Sequence, residues 1–130
     1  LRADLAGRRG IRLLGRVSEA ALAALHAEAD LFVSASRHEG YGMAVADALA
    51  AGLPVVARAA GALVDLVPPA FQVSSDQELA ARVARLARDP EAMAEARSSA
   101  ADQRSTFPRW EDTSRAFLAA LVRFTEDDGR

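Results

Sequence analysis

From Ser36 to Gly42 the chain reads Ser-Arg-His-Glu-Gly-Tyr-Gly, and its chemistry concentrates there. Gly40 and Gly42, one residue apart, let a ligand approach the main chain closely. From Gly42 to Ala51 the residues are Ala, Val and Leu on nearly every side, which reads as a buried helix. The free N–H groups and positive dipole end of that helix make its start a place for a phosphate. A plainer reading is a capping box from Ser36 to Glu39, with the glycines merely allowing a turn. Against it, Gly40 and Gly42 would then occupy the first helical turn, each costing up to about 1 kcal/mol relative to Ala. Asp47 sits between Ala46 and Ala48 in the same apolar segment. A carboxylate there is hydrogen-bonded, open to a cleft, or on a solvent-facing helix position.

Weaker candidates surround this core. His38 is a general base beside Glu39 or a loop histidine, and the second reading is preferred. Arg37 and Arg58 are within reach of a phosphate but read as surface residues. Trp110 reads as a helix anchor ahead of a sugar-stacking platform. His26 reads as structural, and the row Arg82, Arg85, Arg88 as a solvated helix face.

Positioning these groups requires a framework. Leu1 to Arg9 is helix-compatible and ends at Gly10. Ile11 to Leu14 is a short apolar run closed by Gly15, which predicts a buried strand. Ser18 caps a helix carrying Leu22, Leu25 and Ala29. Leu31 to Val33 predicts a second strand. Val55 to Ala57, opened by Pro54, predicts a third, and Phe71 to Val73 a short fourth. Ala62 to Val67 reads as a helical turn ended by Pro68-Pro69. Ser75 and Glu78 have capping-box spacing before Leu79, Val83 and Leu86. Pro90 opens a helix to about Arg104, and Pro108 opens a C-terminal helix over 108–125 with Trp110, Phe117, Leu121 and Phe124. Strands alternating with helices imply right-handed βαβ units and a parallel sheet. Ligands bind such sheets outside the carboxyl ends of the strands, so Ser34 to Gly42 is the segment that matters.

Composition narrows the classes. The 130 residues suit one globular domain, 51% hydrophobic and 26% charged. A net charge of −2 gives no electrostatic case for nucleic acid. The absence of cysteine excludes disulfides and thiolate metal sites. No apolar run approaches a membrane span and the start does not read as a signal peptide, which makes the cytoplasm the expected compartment. The hydrophobic share is dominated by 31 Ala, so the core is thin per residue. All 16 basic residues are Arg, so a mechanism that needs lysine must find it outside this sequence.

The run Glu39-Gly40-Tyr41-Gly42-Met43-Ala44-Val45-Ala46-Asp47-Ala48-Leu49-Ala50-Ala51-Gly52-Leu53-Pro54-Val55-Val56 resembles the donor-site signature of retaining GT-B glycosyltransferases, the group 1 family. That signature is Glu-Gly-Phe-Gly, a second Glu eight positions after the first, then Ala-x-Ala-x-Gly-x-Pro-Val-Val. Leu14 to Ser18 and Ala29 to Ser36 are similar to the family's preceding strands. Phe107-Pro108-Arg109-Trp110-Glu111 resembles the Phe-Ser-Trp-Glu that opens its last helix. The resemblance covers nearly the whole chain. It implies an α/β fold: a Rossmann-like parallel sheet with flanking helices, the C-terminal half of a GT-B fold, lacking its first strands at the N-terminus.

The resemblance implies a nucleotide-sugar donor site across residues 1–130. Glu39 would contact the hydroxyls of the transferred sugar, as the catalytic position. Backbone N–H groups of Gly40, Tyr41, Gly42 and Met43 would hold the diphosphate. Asp47, in the place of the second Glu, would accept from the ribose hydroxyls, and Arg16 and Val17 would line the base. No metal or other cofactor is expected, because the protein itself neutralises the leaving group. The acceptor site belongs to an N-terminal domain outside this sequence, as would any peripheral membrane contact. The 130 residues alone are then expected to be inactive. Asp47 is one methylene shorter than Glu, and Gly61-Ala62-Leu63-Val64-Asp65 stands where Gly-Gly-x-Pro-Glu is usual. The family's diphosphate-clamping Arg and Lys lie upstream of Leu1. Without its first two strands, the Ile11 and Leu31 strands would pair directly in a rearranged sheet or borrow strands from a second copy. The alternative function is a non-catalytic module of the same fold that binds nucleotide or protein. A Rossmann dehydrogenase is disfavoured, because Val45 breaks Gly-x-Gly-x-x-Gly.

Overall fold

A computed structural model describes residues 9–106 and 110–127. Its order is α1 (Glu19–Glu28), β1 (Phe32–Ser34), α2 (Met43–Ala50), β2 (Val55–Arg58), α3 (Leu63–Leu66), β3 (Gln72–Val73), α4 (Asp76–Arg88), α5 (Pro90–Thr106) and α6 (Trp110–Asp127), with a 3-10 turn at Pro69–Phe71. The strands form one parallel sheet in the order β1-β2-β3. Phe32 pairs with Val55 and Ser34 with Ala57, so β1 and β2 end together at their carboxyl ends. The α/β, Rossmann-like expectation holds.

Strand β2 is the middle of the fold because Val55, Val56 and Ala57 are all buried. Such a run suits a strand covered on both faces. Alternation sends Val55 and Ala57 to one side, where they meet Val45, Ala48, Leu49, Leu63 and Val67 from α2, α3 and the segment after it. Val56 points the other way, with Val73, Leu79, Leu86, Ala92 and Ala96 from β3, α4 and α5. Alanines at 48, 57, 92, 96 and 100 are all buried, so the thin side chains serve close helix–sheet approach.

Local signals set the helix starts. Ser18 Oγ accepts from the Ala21 N–H at 3.3 Å, and Ser75 Oγ from the Glu78 N–H at 3.1 Å. Glu78 reaches back to Ser74, accepting from its N–H at 2.8 Å and its hydroxyl at 2.9 Å, one residue earlier than a standard box. α5 begins at Pro90, with Asp89 Oδ1 accepting from the Glu91 and Ala92 N–H groups.

Two expectations are corrected. Ile11 to Leu14 forms no strand, and Ile11, Leu13 and Leu14 are exposed, so direct pairing with the Leu31 strand does not occur. Three apolar residues in a four-residue stretch cannot distinguish a buried strand from an extended segment with no sheet neighbour. The Ser36–Glu39 capping box, the alternative the glycines argued against, is not formed: the helix starts at Met43 and Ser36 Oγ donates to the His38 carbonyl at 2.9 Å. Arg82 departs from the solvated-face reading, being half-buried and donating to the Ala70 carbonyl, while Arg85 and Arg88 stay exposed. His26 is structural as read, its ring edge-on to Phe32 at 6.2 Å. The starting helix over Leu1 to Arg9 falls almost wholly outside the described residues, as do Phe107, Pro108 and Arg109. In α6, Phe117, Leu121 and Phe124 are exposed.

Candidate functional site

The carboxyl ends of β1 and β2 open into two loops, residues 35–42 and 59–62, that lean on each other. Gly61 has φ +54°, and a Cβ placed on it would stand 2.1 Å from the Glu39 carbonyl oxygen. Only a residue without a side chain lets the second loop come this close to the first. Gly42, the N-cap of α2, has φ +82° and is buried against Leu63, whose Cδ2 would lie 2.6 Å from an added Cβ. Gly42, as the N-cap, gives α2 no side-chain cap hydrogen bond. The first N–H groups of the helix are therefore not claimed by a cap, unlike those of α1 and α4.

Between the loops lies an open cleft of about 500 Å³ lined by Arg37, His38, Glu39, Gly40, Ala59, Ala60 and Gly61. It sits outside the carboxyl ends of parallel strands, where open α/β sheets take ligands. Glu39 is half-buried in its wall and Gly40 is exposed. Nothing lies within 4 Å of a Cβ built on Gly40, so the main chain there faces open space. Another concavity, about 470 Å³, includes Asp30, Leu31 and Arg88 and lies at the amino end of β1, away from both loops.

A charged cluster borders the cleft. Asp76, at the start of α4, accepts from Arg58 Nη2 through Oδ1 and from Arg37 Nη2 through Oδ2 at 3.2 Å. The Arg58 hydrogen bond and charge, followed by those of Arg37, hold the Asp76 carboxyl below its usual range. Sequence reading placed Asp76 only within a capping segment. No local signal marks a contact 18 and 39 residues away along the chain.

The structure therefore brings together Glu39 and Gly40, with Gly42 just behind them. Tyr41 and Met43 flank the loop and are 69% and 61% exposed, pointing their side chains to solvent rather than into the cleft wall. Asp47 lies one turn beyond Met43 on the exposed side of α2 and does not line the cleft. Arg16 is exposed. Val17 lines a separate shallow groove with Leu14, Ala21 and Leu25. Gly61, which the sequence offered only as part of a divergent loop, is the residue that sets the cleft's width.

Residues 1–99 match the family described as Glycosyl transferases group 1. The chain belongs to that family. Over 55 residues, 42% of this chain, it is 46% identical to a GDP-mannose-dependent alpha-mannosyltransferase of Mycolicibacterium smegmatis (strain ATCC 700084 / mc(2)155). The match spans 15% of that relative's length. Among the described residues no helix is long and apolar enough to cross a membrane.

Proposed function

We propose that this chain supplies the nucleotide-sugar donor site of a glycosyltransferase that works with retention at the anomeric carbon. The observation that carries the reading is the cleft between the Glu39 and Gly61 loops, outside the carboxyl ends of β1 and β2. In this reading the Glu39 carboxylate accepts hydrogen bonds from vicinal hydroxyls of the transferred sugar. Backbone N–H groups from Gly40 to Met43 take the diphosphate, aided by the α2 dipole. Asp47, further along the same helix, accepts from the ribose, and the Arg16–Val17 segment flanks the base.

The glycosidic bond to the diphosphate breaks as an acceptor hydroxyl adds on the same face of the sugar, and the hydroxyl's proton passes to the departing diphosphate oxygen. Positive groups and N–H donors stabilise the charge that develops on the departing phosphate, and the proposed reaction uses no metal. The relative's name makes GDP-mannose the first donor to test. We propose that the acceptor binds elsewhere in the whole protein, and that its reaction takes place in the cytoplasm. Donor binding without turnover is the activity proposed for the 130 residues by themselves. Titration calorimetry with GDP, UDP and guanosine tests this. A diphosphate should bind better than the nucleoside, because the diphosphate meets the start of α2. Equal weak binding of GDP and guanosine refutes the donor site.

A further inference from the structure

Among the described residues that line the cleft, Arg37 is the one permanent cation. Its partner is Asp76, through a single bond of 3.2 Å between side chains that are 71% and 63% exposed. Such a solvated, one-point pair contributes little and exchanges readily. Arg58 is different. It is 17% exposed, donates Nη1 to the Ser74 carbonyl at 3.3 Å, and holds the other oxygen of Asp76. If Arg37 leaves, Asp76 keeps its Arg58 partner and no charge is stranded. The cluster has two guanidiniums and one carboxylate, so it carries a surplus positive charge at the cleft's edge. A guanidinium that meets a carboxylate at one point can meet a phosphate at two, since its planar fork matches phosphate oxygens. Arg37 also precedes Glu39 by two residues on one loop, so a cation, a carboxylate and the bare main chain of Gly40 follow in order.

Resting on the donor-site reading, we propose that Arg37 is the phosphate-binding cation of this cleft, and that Asp76, anchored by Arg58, holds it until a diphosphate displaces the carboxylate. Arg37 binds the phosphate directly. Asp76 competes with the phosphate for Arg37, and Arg58 anchors Asp76.

The test is calorimetry on the full 130-residue chain with GDP, guanosine and inorganic pyrophosphate. Arg37→Gln should weaken GDP and pyrophosphate roughly 10- to 100-fold, the range for losing one charge-assisted hydrogen bond. It should leave guanosine binding and thermal stability unchanged, because the side chain is exposed. Arg37→Lys should recover part of the loss. Asp76→Asn should tighten GDP, since the competing carboxylate charge is gone. A purely structural cluster predicts the reverse, weaker binding in Asp76→Asn. If the parent chain prefers GDP to guanosine but Arg37→Gln keeps that preference, the Arg37 assignment fails and the donor site stands. A parent chain with no such preference overturns both.

Discussion

Replacing Gly61 with alanine tests whether the meeting of the two loops is what builds the cleft. At φ +54° an alanine sits in the left-handed region, which costs about 1–2 kcal/mol. Its methyl would stand 2.1 Å from the Glu39 carbonyl oxygen, so one backbone must move by about an ångström. Overpacking of this kind costs about 1–3 kcal/mol. The sum is about 2–5 kcal/mol, a large part of the roughly 5–15 kcal/mol that holds a domain together. With a urea slope of about 1.5 kcal/mol/M, the midpoint should fall by about 1–3 M. Gly40→Ala is the matched control. A methyl there has nothing within 4 Å and no positive φ to oppose it. Its stability should be equal or about 0.4–1 kcal/mol higher, as for other compatible glycine replacements. GDP affinity should nevertheless drop in both variants: Gly61→Ala displaces the Glu39 loop and Gly40→Ala places a methyl in the cleft. A Gly61→Ala midpoint indistinguishable from the parent's would refute the argument that the two loops are locked together.

Glu39→Gln should keep stability within about 0.5 kcal/mol, as for most changes outside a core, yet lower turnover of the complete enzyme by about tenfold or more; unaltered turnover with lost stability would make Glu39 a scaffold residue. Asp47→Ala should weaken donor binding in the complete enzyme by roughly 1–3 kcal/mol with no change in melting temperature, and Asp47→Glu should be neutral or better; a large loss in a folded Asp47→Glu variant would show a reshaped ribose site. Acid should destabilise the chain through Asp76 and Glu78. Arg58 and then Arg37 hold Asp76 low, and the Ser74 N–H and hydroxyl do the same for Glu78. The unfolded chain therefore takes up these protons first as pH falls. Their contribution is complete above the ordinary carboxylate values, about 4, and is lost as pH drops through the lowered ones. An Asp76→Asn, Glu78→Gln double variant should show a flatter acid limb in pH-dependent melting, and an unchanged limb would contradict the linkage. Sedimentation at micromolar concentration should reveal self-association. The outer edge of β1 has no strand partner among the described residues, and Val33, Phe117, Leu121 and Phe124 are exposed. A clean monomer would rule this out.

Much of the framework was legible because its signals are local. Ser18 and Ser75 mark helix starts through hydrogen bonds spanning three residues, and Pro90 opens α5 without need of its missing N–H. Strand β2 reads as central from Val55-Val56-Ala57 alone, because only a doubly covered strand tolerates apolar residues on both faces. The Glu39-to-Gly42 loop was likewise visible, since two close glycines between a buried strand and a buried helix have few other uses. Ile11 to Leu14 shows the limit: Ile11, Leu13 and Leu14 state that the segment wants a neighbour but not that one exists.

Apart from Ile11 to Leu14, the amino-acid sequence by itself determined which of the described segments become helices and strands, the parallel connectivity, and the loop that carries the candidate site, because capping, periodicity and turn chemistry act over a few residues. Only the tertiary structure decided which side chains meet. Gly61 comes against Glu39 from 22 positions away, and Asp76 binds both Arg58 and Arg37, because the register of β1 on β2 and the docking of α4 bring three loops to one edge of the sheet. The same packing left Asp47, Arg16 and Val17 outside the cleft walls. Contacts of this kind depend on how elements pack, and nothing in the neighbouring residues encodes them.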